Sequence, residues 1–218
     1  MRHEPRFQLR ENLTMVGGVN KASASLLVVP GSPALVRELA PSDEPSQRLL
    51  QTVREISSNL PNTMEIVCSH DRKWATAQPG SFGAWGAPDV CVGDGHVLGE
   101  LIARYCLPGK NVQASRDSLM PMSPSALTVV VVDGPAGLTP RAPLSLLPNA
   151  HRVHEQLQLL LAGKEHQPIG EAEMLEAGVI EPRLWCELQT LQPESARLLD
   201  TDDSLGVGRY VAYWEVSL

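Results

Sequence analysis

The apolar run at residues 126–132 (ALTVVVV) constrains the fold of this chain more than any other feature. It is short, continuous and rich in β-branched residues, and Asp133-Gly134 ends it. Such a run is typical of a strand that is buried on both faces, as in a parallel sheet. A second run of this kind covers residues 24–30 and ends in a Gly-Ser-Pro turn. We therefore predict a mostly parallel central sheet with helices on both sides.

Segments with an apolar period of about 3.6 residues lie between the predicted strands, and this period is typical of helices. The predicted helices cover residues 45–59, 96–107, 149–162, 169–177 and 181–191, and further strands cover residues 64–69, 89–92 and 208–216. Alternating buried strands and helices predict an α/β three-layer sandwich. We assign residues 23–218 to this single domain and residues 1–22 to a polar N-terminal extension.

The charge balance excludes some classes of partner. The net charge is −7, with 18 Lys and Arg against 25 Asp and Glu. Because phosphate binding needs clustered basic residues, nucleic acid is not expected as a partner. The densest basic group, Arg2, Arg6 and Arg10, falls in the polar extension. No apolar run reaches the about 18 residues of a membrane span, and no signal-peptide core precedes Lys21. We expect a cytoplasmic protein that does not bind membranes.

The four cysteines are Cys68, Cys91, Cys106 and Cys186. They form no Cys-x-x-Cys pair, and each lies within an apolar pattern. We therefore expect buried, reduced thiols and no zinc site built from cysteines.

Two other motifs invite functional interpretations. The segment 93–99 (GDGHVLG) is similar to a dinucleotide-binding turn, but the strand before it is short and does not open a βαβ series. Asp94 is therefore interpreted as a helix cap. His151 and His154 lie three residues apart on one predicted helix, where they could share a metal. No third ligand is evident, so we expect both to be exposed.

Residues 70–88 form a long Gly-rich loop that carries Trp74, Phe82 and Trp85. Loops of this length in compact domains are usually functional or disordered. The aromatic side chains predict either a lid over an aromatic ligand or a small core that fixes the loop. The sequence does not decide between these two alternatives.

Polar side chains follow three of the predicted strands, and ligands of open α/β sheets bind beyond the carboxyl ends of strands. We therefore expect a cleft at this edge of the sheet. Its expected lining combines the strand ends with the aromatic loop. The lining residues are Ser32, His70, Asp71, Trp74, Phe82, Trp85, Asp133 and Gly134.

Four segments, in this order along the chain, resemble class III extradiol dioxygenases. They are LLVVPGSPALVREL (26–39), NTMEIVCSHD (62–71), TVVVVDGPAGL (128–138) and GVGRYVAYWEV (206–216). The last is similar to the closing strand of a divergent actinobacterial branch of that family. The resemblance runs from about Leu26 to the C-terminus, and it implies a class III extradiol dioxygenase-like fold.

The family's site holds non-haem Fe(II) through two imidazoles and a carboxylate, and a further histidine provides acid–base catalysis. Carried onto this chain, one imidazole falls on His70. The carboxylate, four residues before a Trp, falls on Glu181. The first ligand position, near Gly31 or Ser32, and the catalytic position, at residues 136–138, hold no histidine. The resemblance therefore implies an incomplete metal site.

Three functional hypotheses follow. The leading one is a divergent family member that does not cleave rings, needs no cofactor and keeps a cleft for a small aromatic molecule or a partner. The second is an active Fe(II) or Zn oxidoreductase of dioxygenase type that uses His70, Glu181 and one of Asp71, His96 or Asp133. The third is a non-catalytic subunit of a complex, which would expose a large apolar patch. Assembly into a homo-oligomer also stays open.

Overall fold

The computed structural model describes residues 22–218. The proposed extension, apart from its last residue, lies outside the described residues, as does its basic group of Arg2, Arg6 and Arg10. The strands are β1 (Ser23–Val29), β2 (Thr63–Val67), β3 (Ser81–Phe82), β4 (Ala87–Cys91), β5 (Asn111–Arg116), β6 (Leu127–Val131), β7 (Pro193–Asp202) and β8 (Arg209–Ser217). The helices are α1 (Glu44–Ser57), α2 (Leu98–Cys106), α3 (Ala150–Leu161), α4 (Glu171–Glu176) and α5 (Arg183–Gln189).

Six strands form one sheet in the order β5-β2-β6-β1-β8-β7. The first four are parallel, β8 runs antiparallel to β1, and β7 runs antiparallel to β8. The prediction of an α/β protein with a mostly parallel sheet is therefore confirmed. The five predicted helices are confirmed with ends shifted by a few residues, and β3, β5 and β7 were not predicted.

Side chains of the central strands explain why the apolar runs are continuous. Leu26 and Val28 of β1 point into one core with helices α3, α4 and α5, whereas Leu27 and Val29 point into a second core with α1 and α2. All four side chains are fully buried. The sheet therefore lies between two helical layers. No helix within residues 22–218 is long and apolar enough to cross a membrane.

The helix caps correct one prediction. The Asp43 carboxylate accepts a hydrogen bond from Ser46 N–H and caps α1. The prediction that Asp94 caps the next helix is wrong, because Val97 is the N-cap of α2. The Glu100 carboxylate accepts from the backbone N–H groups of His96 and Val97 and satisfies this helix end instead.

Strand β4 pairs with β3 alone, in a separate two-stranded sheet. The glycine-rich turn at 93–99 therefore does not follow a strand of the main sheet, which a dinucleotide-binding turn requires. Arg116, on the next strand along the chain, forms an ion pair with Glu65 at 2.6 Å. The dinucleotide interpretation has no support in this topology.

All four thiols are free. Cys68 and Cys106 are buried, as predicted, and burial raises the pKa of each thiol to about 12. Cys186 is half-buried, and Cys91 is exposed on the small β3-β4 sheet. The expectation of a buried thiol is therefore wrong for Cys91, because β4 lies outside the main sheet and is covered on one side only.

Candidate functional site

The carboxyl ends of β1, β2 and β6 border a cavity of about 230 Å³. Gly31-Ser32, Cys68-Ser69 and Asp133-Gly134 contribute its strand-end lining, one pair from each strand. The parallel direction of these strands brings the three pairs to one edge of the sheet. We call this space the strand-end cavity. Its walls are mainly apolar, and it is larger than the about 150 Å³ of a dry cavity that binds benzene.

Two glycines allow the backbone to come close to other groups at this edge. The Gly31 N–H donates a hydrogen bond to Oδ1 of Asp133 at 3.0 Å. A Cβ on Gly31 would lie 3.1 Å from Oδ2 of the same carboxylate. The backbone of Gly134 lies against the ring of Tyr210, and a Cβ there would collide with the phenol. Glycine at both positions therefore keeps the cavity open above a tightly packed floor.

The Asp133 carboxyl is the ionisable group at the floor of the strand-end cavity. Burial raises its pKa from the ordinary 3.8 to about 6, against the opposing effects of the Gly31 N–H and the Arg209 charge. Among residues 22–218, no Lys, Arg or His forms an ion pair with this carboxylate. The cavity therefore contains an acid that changes its charge close to neutral pH.

The mouth of the cavity is closed on one side by contacts of Glu181. Trp74 Nε1 donates a hydrogen bond to Glu181 Oε1 at 2.8 Å, and Lys73 Nζ forms an ion pair with the same oxygen at 2.5 Å. Trp74 and Glu181 both line the strand-end cavity. The loop after β2 is thereby fixed to the segment before α5, across the cavity mouth.

A second cavity of about 340 Å³ adjoins the first. Ser69 and Glu181 line both cavities, so these two side chains separate them. His70 and Asp71 line the second cavity and not the first. His70 is exposed, and its Nε2 lies 3.1 Å from Ser115 Oγ. The predicted cleft is therefore divided, with the histidine outside the strand-end part.

The aromatic residues of the loop after β2 separate into two groups. Phe82 is fully buried and packs edge-on against Trp85 and Tyr105, with ring centroids 6.3 Å and 5.9 Å apart. Neither Phe82 nor Trp85 lines the strand-end cavity, whereas Trp74 does. The two predicted roles of the aromatic residues are thus divided between them: Phe82 and Trp85 form a small core, and Trp74 covers the cavity.

The predicted metal ligands do not converge. No group of three His, Cys, Asp or Glu side chains within residues 22–218 is arranged to hold a metal ion. His70 and Glu181 therefore gain no third ligand from Asp71, His96 or Asp133. His96 is exposed, its Nε2 lies 3.8 Å from Oδ1 of Asp94, and it does not line the strand-end cavity.

The prediction that both residues of the second histidine motif are exposed is confirmed for His151 and wrong for His154. His154 is buried rather than exposed, and its Nδ1 lies 2.6 Å from the hydroxyl of Tyr210. Burial lowers the pKa of this imidazole. The Tyr210–His154 pair lies directly beneath Gly134 and supports the cavity floor. The alternation of residues 208–216 predicted a strand, but nothing in it indicated this contact.

Other lining residues carried no signal in the sequence. Pro143, Ile180 and Val207 come from three loops that converge on the cavity mouth. Apolar side chains remain exposed there: Ile180 is 46% exposed and Leu144 is 45% exposed. Leu144 lies beside Gly178, two residues before Ile180. An exposed apolar rim is what the hypothesis of a non-catalytic subunit expects, and that hypothesis stays a prediction.

The chain matches no protein-family model, and no curated protein shows significant similarity to it. The resemblance to class III extradiol dioxygenases therefore stays a prediction, and so do the activity, cofactor and partners that it implies.

Proposed function

We propose that this chain binds a small molecule with one aromatic ring in the strand-end cavity, and that it does not cleave catechol rings. The observation that carries the proposal is a cavity at the carboxyl ends of three parallel strands, with mainly apolar walls and the single floor carboxyl of Asp133. Ligand sites typically combine apolar walls with a few placed polar groups.

The size and walls of the cavity support a one-ring ligand. A space of about 230 Å³ exceeds what benzene needs by the volume of a small polar substituent. Trp74, Leu98, Val131 and Ile180 surround this space from four different parts of the chain. A flat ring between them would bury apolar surface at about 25 cal/mol per Å².

The contacts of the expected metal ligands argue against ring cleavage. Oε1 of Glu181 already accepts from Trp74 and pairs with Lys73. His70 lies in the adjoining cavity and contacts Ser115. Losing a side chain that only hydrogen-bonds to a metal ligand commonly costs about 10–100-fold in metal affinity, so losing an imidazole ligand should cost more.

Ligand-observed NMR with benzyl alcohol and phenol tests the binding proposal. We expect both to bind the wild-type chain, and Val207→Trp to weaken them at least about tenfold by filling the cavity mouth. Leu205→Trp is the matched control, because Leu205 lies two residues away, is 48% exposed and does not line the cavity. No binding by wild type, or equal binding by Val207→Trp, would contradict the proposal.

Anaerobic loading with Fe(II), followed by catechol and O₂, tests the second half of the proposal. We expect catechol to remain intact. A yellow ring-opened product, lost in both His70→Ala and Glu181→Ala, would instead establish the rearranged metalloenzyme.

A further inference from the structure

Asp133 is half-buried, and its carboxylate has fewer partners than a desolvated charge normally has. Within residues 22–218 its hydrogen bond comes from Gly31 N–H at 3.0 Å, and the Ser32 N–H lies near enough to lower the carboxyl pKa further. A carboxylate has about four lone-pair sites, so acceptor capacity remains for a donor in the cavity. Buried charges in proteins are normally paired with an opposite charge.

Arg209, whose charge acts on Asp133, does not supply that pairing. Arg209 is 1% exposed, and its guanidinium forms ion pairs with Asp43 at 2.8 Å and with Asp202. The single positive charge of Arg209 is therefore already shared by two carboxylates other than Asp133. The attraction between Arg209 and Asp133 lowers the pKa of Asp133, but burial outweighs it. Arg209, Asp43 and Asp202 together carry a net charge of −1, and ionisation of Asp133 makes it −2.

The other ionisable groups around the cavity do not provide a counter-ion either. Lys73 is engaged with Glu181 at the mouth. Cys68 and Tyr210 are neutral at physiological pH, because burial raises the pKa of both groups. As far as the described residues 22–218 go, a cationic ligand would therefore find a carboxylate without an ion-pair partner at the floor of the cavity and no competing basic side chain.

From this arrangement we infer that the strand-end cavity selects ligands in which an aromatic ring carries a positively charged amine, with Asp133 as the group that recognises the ammonium. The inference rests on the proposed function and specifies the chemical class of its ligand. An ammonium donates up to three hydrogen bonds and supplies the missing positive charge. A ring that carries a carboxylate would place two like charges in one apolar space, and it is excluded.

Benzylamine, benzyl alcohol and benzoate share one ring and differ in the charge of the head group. At pH 8 we expect benzylamine to bind the wild-type chain at least about tenfold more tightly than benzyl alcohol, since hydrogen bonds to charged groups are the stronger ones. Benzoate should bind most weakly. At pH 5 the preference should shrink, because Asp133 takes up a proton and benzylamine keeps its charge.

Three variants test which side chain causes the preference for benzylamine over benzyl alcohol. Asp133→Asn should bind the amine and the alcohol within about threefold of each other, because the amide keeps the shape and loses the charge. Asp89→Asn, on exposed strand β4, should leave both affinities unchanged and keep the tenfold preference. Glu181→Gln alters the lining of the cavity mouth, so it should change the affinity for both probes and keep the ratio between them. Isothermal titration calorimetry measures all of these affinities.

The outcomes separate this inference from the proposed function. If benzyl alcohol binds the wild-type chain and benzylamine gains nothing at pH 8, the inference is wrong and the binding proposal stands. A preference that survives in Asp133→Asn, or that disappears in Glu181→Gln, assigns the recognition to another group and also overturns the inference. If no probe binds, both fail.

Discussion

Replacing Asp133 by Asn should make the folded chain more stable at neutral pH. The folded carboxyl titrates at about 6 and an ordinary carboxyl at 3.8, which is a difference of about two pH units. Each unit corresponds to about 1.4 kcal/mol, so burying the charge costs up to about 3 kcal/mol above pH 7. Partial exposure of the carboxylate to the cavity reduces the cost, and we expect a gain of about 2 kcal/mol.

The sign of the pH dependence follows from which state binds more protons. Between pH 4 and pH 6 the unfolded Asp133 is ionised and the folded one is still protonated. The contribution of Asp133 to the free energy of unfolding of the wild-type chain therefore falls as the pH rises through this window, and it levels off above pH 7. The advantage of Asp133→Asn should accordingly be about half as large at pH 5 as at pH 8.

Thermal unfolding at pH 5 and pH 8 measures this difference. For a domain of this size, 1 kcal/mol shifts the Tm by about 2–4 °C, so Asp133→Asn should unfold about 4–8 °C higher at pH 8. Asp89→Asn is the control, because Asp89 is exposed and should shift the Tm little at either pH. An Asp133→Asn variant with the same shift at both pH values, or a lower Tm at pH 8, would refute the reasoning.

Two further predictions concern the walls and the floor of the cavity. Glu181→Ala should join the two cavities and raise the affinity for 2-naphthol relative to phenol by about tenfold, because the second ring gains apolar burial. Ligand-observed NMR measures both affinities, with the exposed Glu176→Ala variant as the control. An unchanged ratio of the two affinities counts against the idea that Glu181 separates the cavities. Tyr210→Phe should lower the free energy of unfolding by about 1–3 kcal/mol, because Nδ1 of buried His154 loses its partner. Urea unfolding measures this loss, and a neutral effect would mean that water replaces the phenol hydroxyl.

Elements buried on both faces were the ones that the sequence made predictable. Strands β1 and β6 are continuous apolar runs because every side chain meets a helical layer. The edge strands β5 and β7 were missed because half-exposed positions break that pattern: β5 reads NVQASR and pairs with β2 alone. Helices could be predicted although they are partly exposed, because each has one buried stripe that repeats with the helical period.

The candidate site was predictable in position and not in detail. The rule that ligands bind beyond strand ends located Ser32, Trp74, Asp133 and Gly134 at the cavity. The rule could not predict that Ser69 and Glu181 separate His70 from the strand-end cavity. That separation depends on long-range contacts, such as the one between Trp74 and Glu181, which are 107 positions apart in the chain. The charge environment of Asp133 depends in turn on Arg209, which comes from the distant start of β8.

The single exposed thiol makes this chain convenient for spectroscopy. Cys91 lies on the β3-β4 hairpin, whereas Cys68 and Cys106 are inaccessible and Cys186 is half-covered. Thiolates react, and burial keeps the covered cysteines protonated. A maleimide dye should therefore attach at one defined place outside the main sheet, and its emission could report movement of the loop that carries Trp74 without any engineered cysteine.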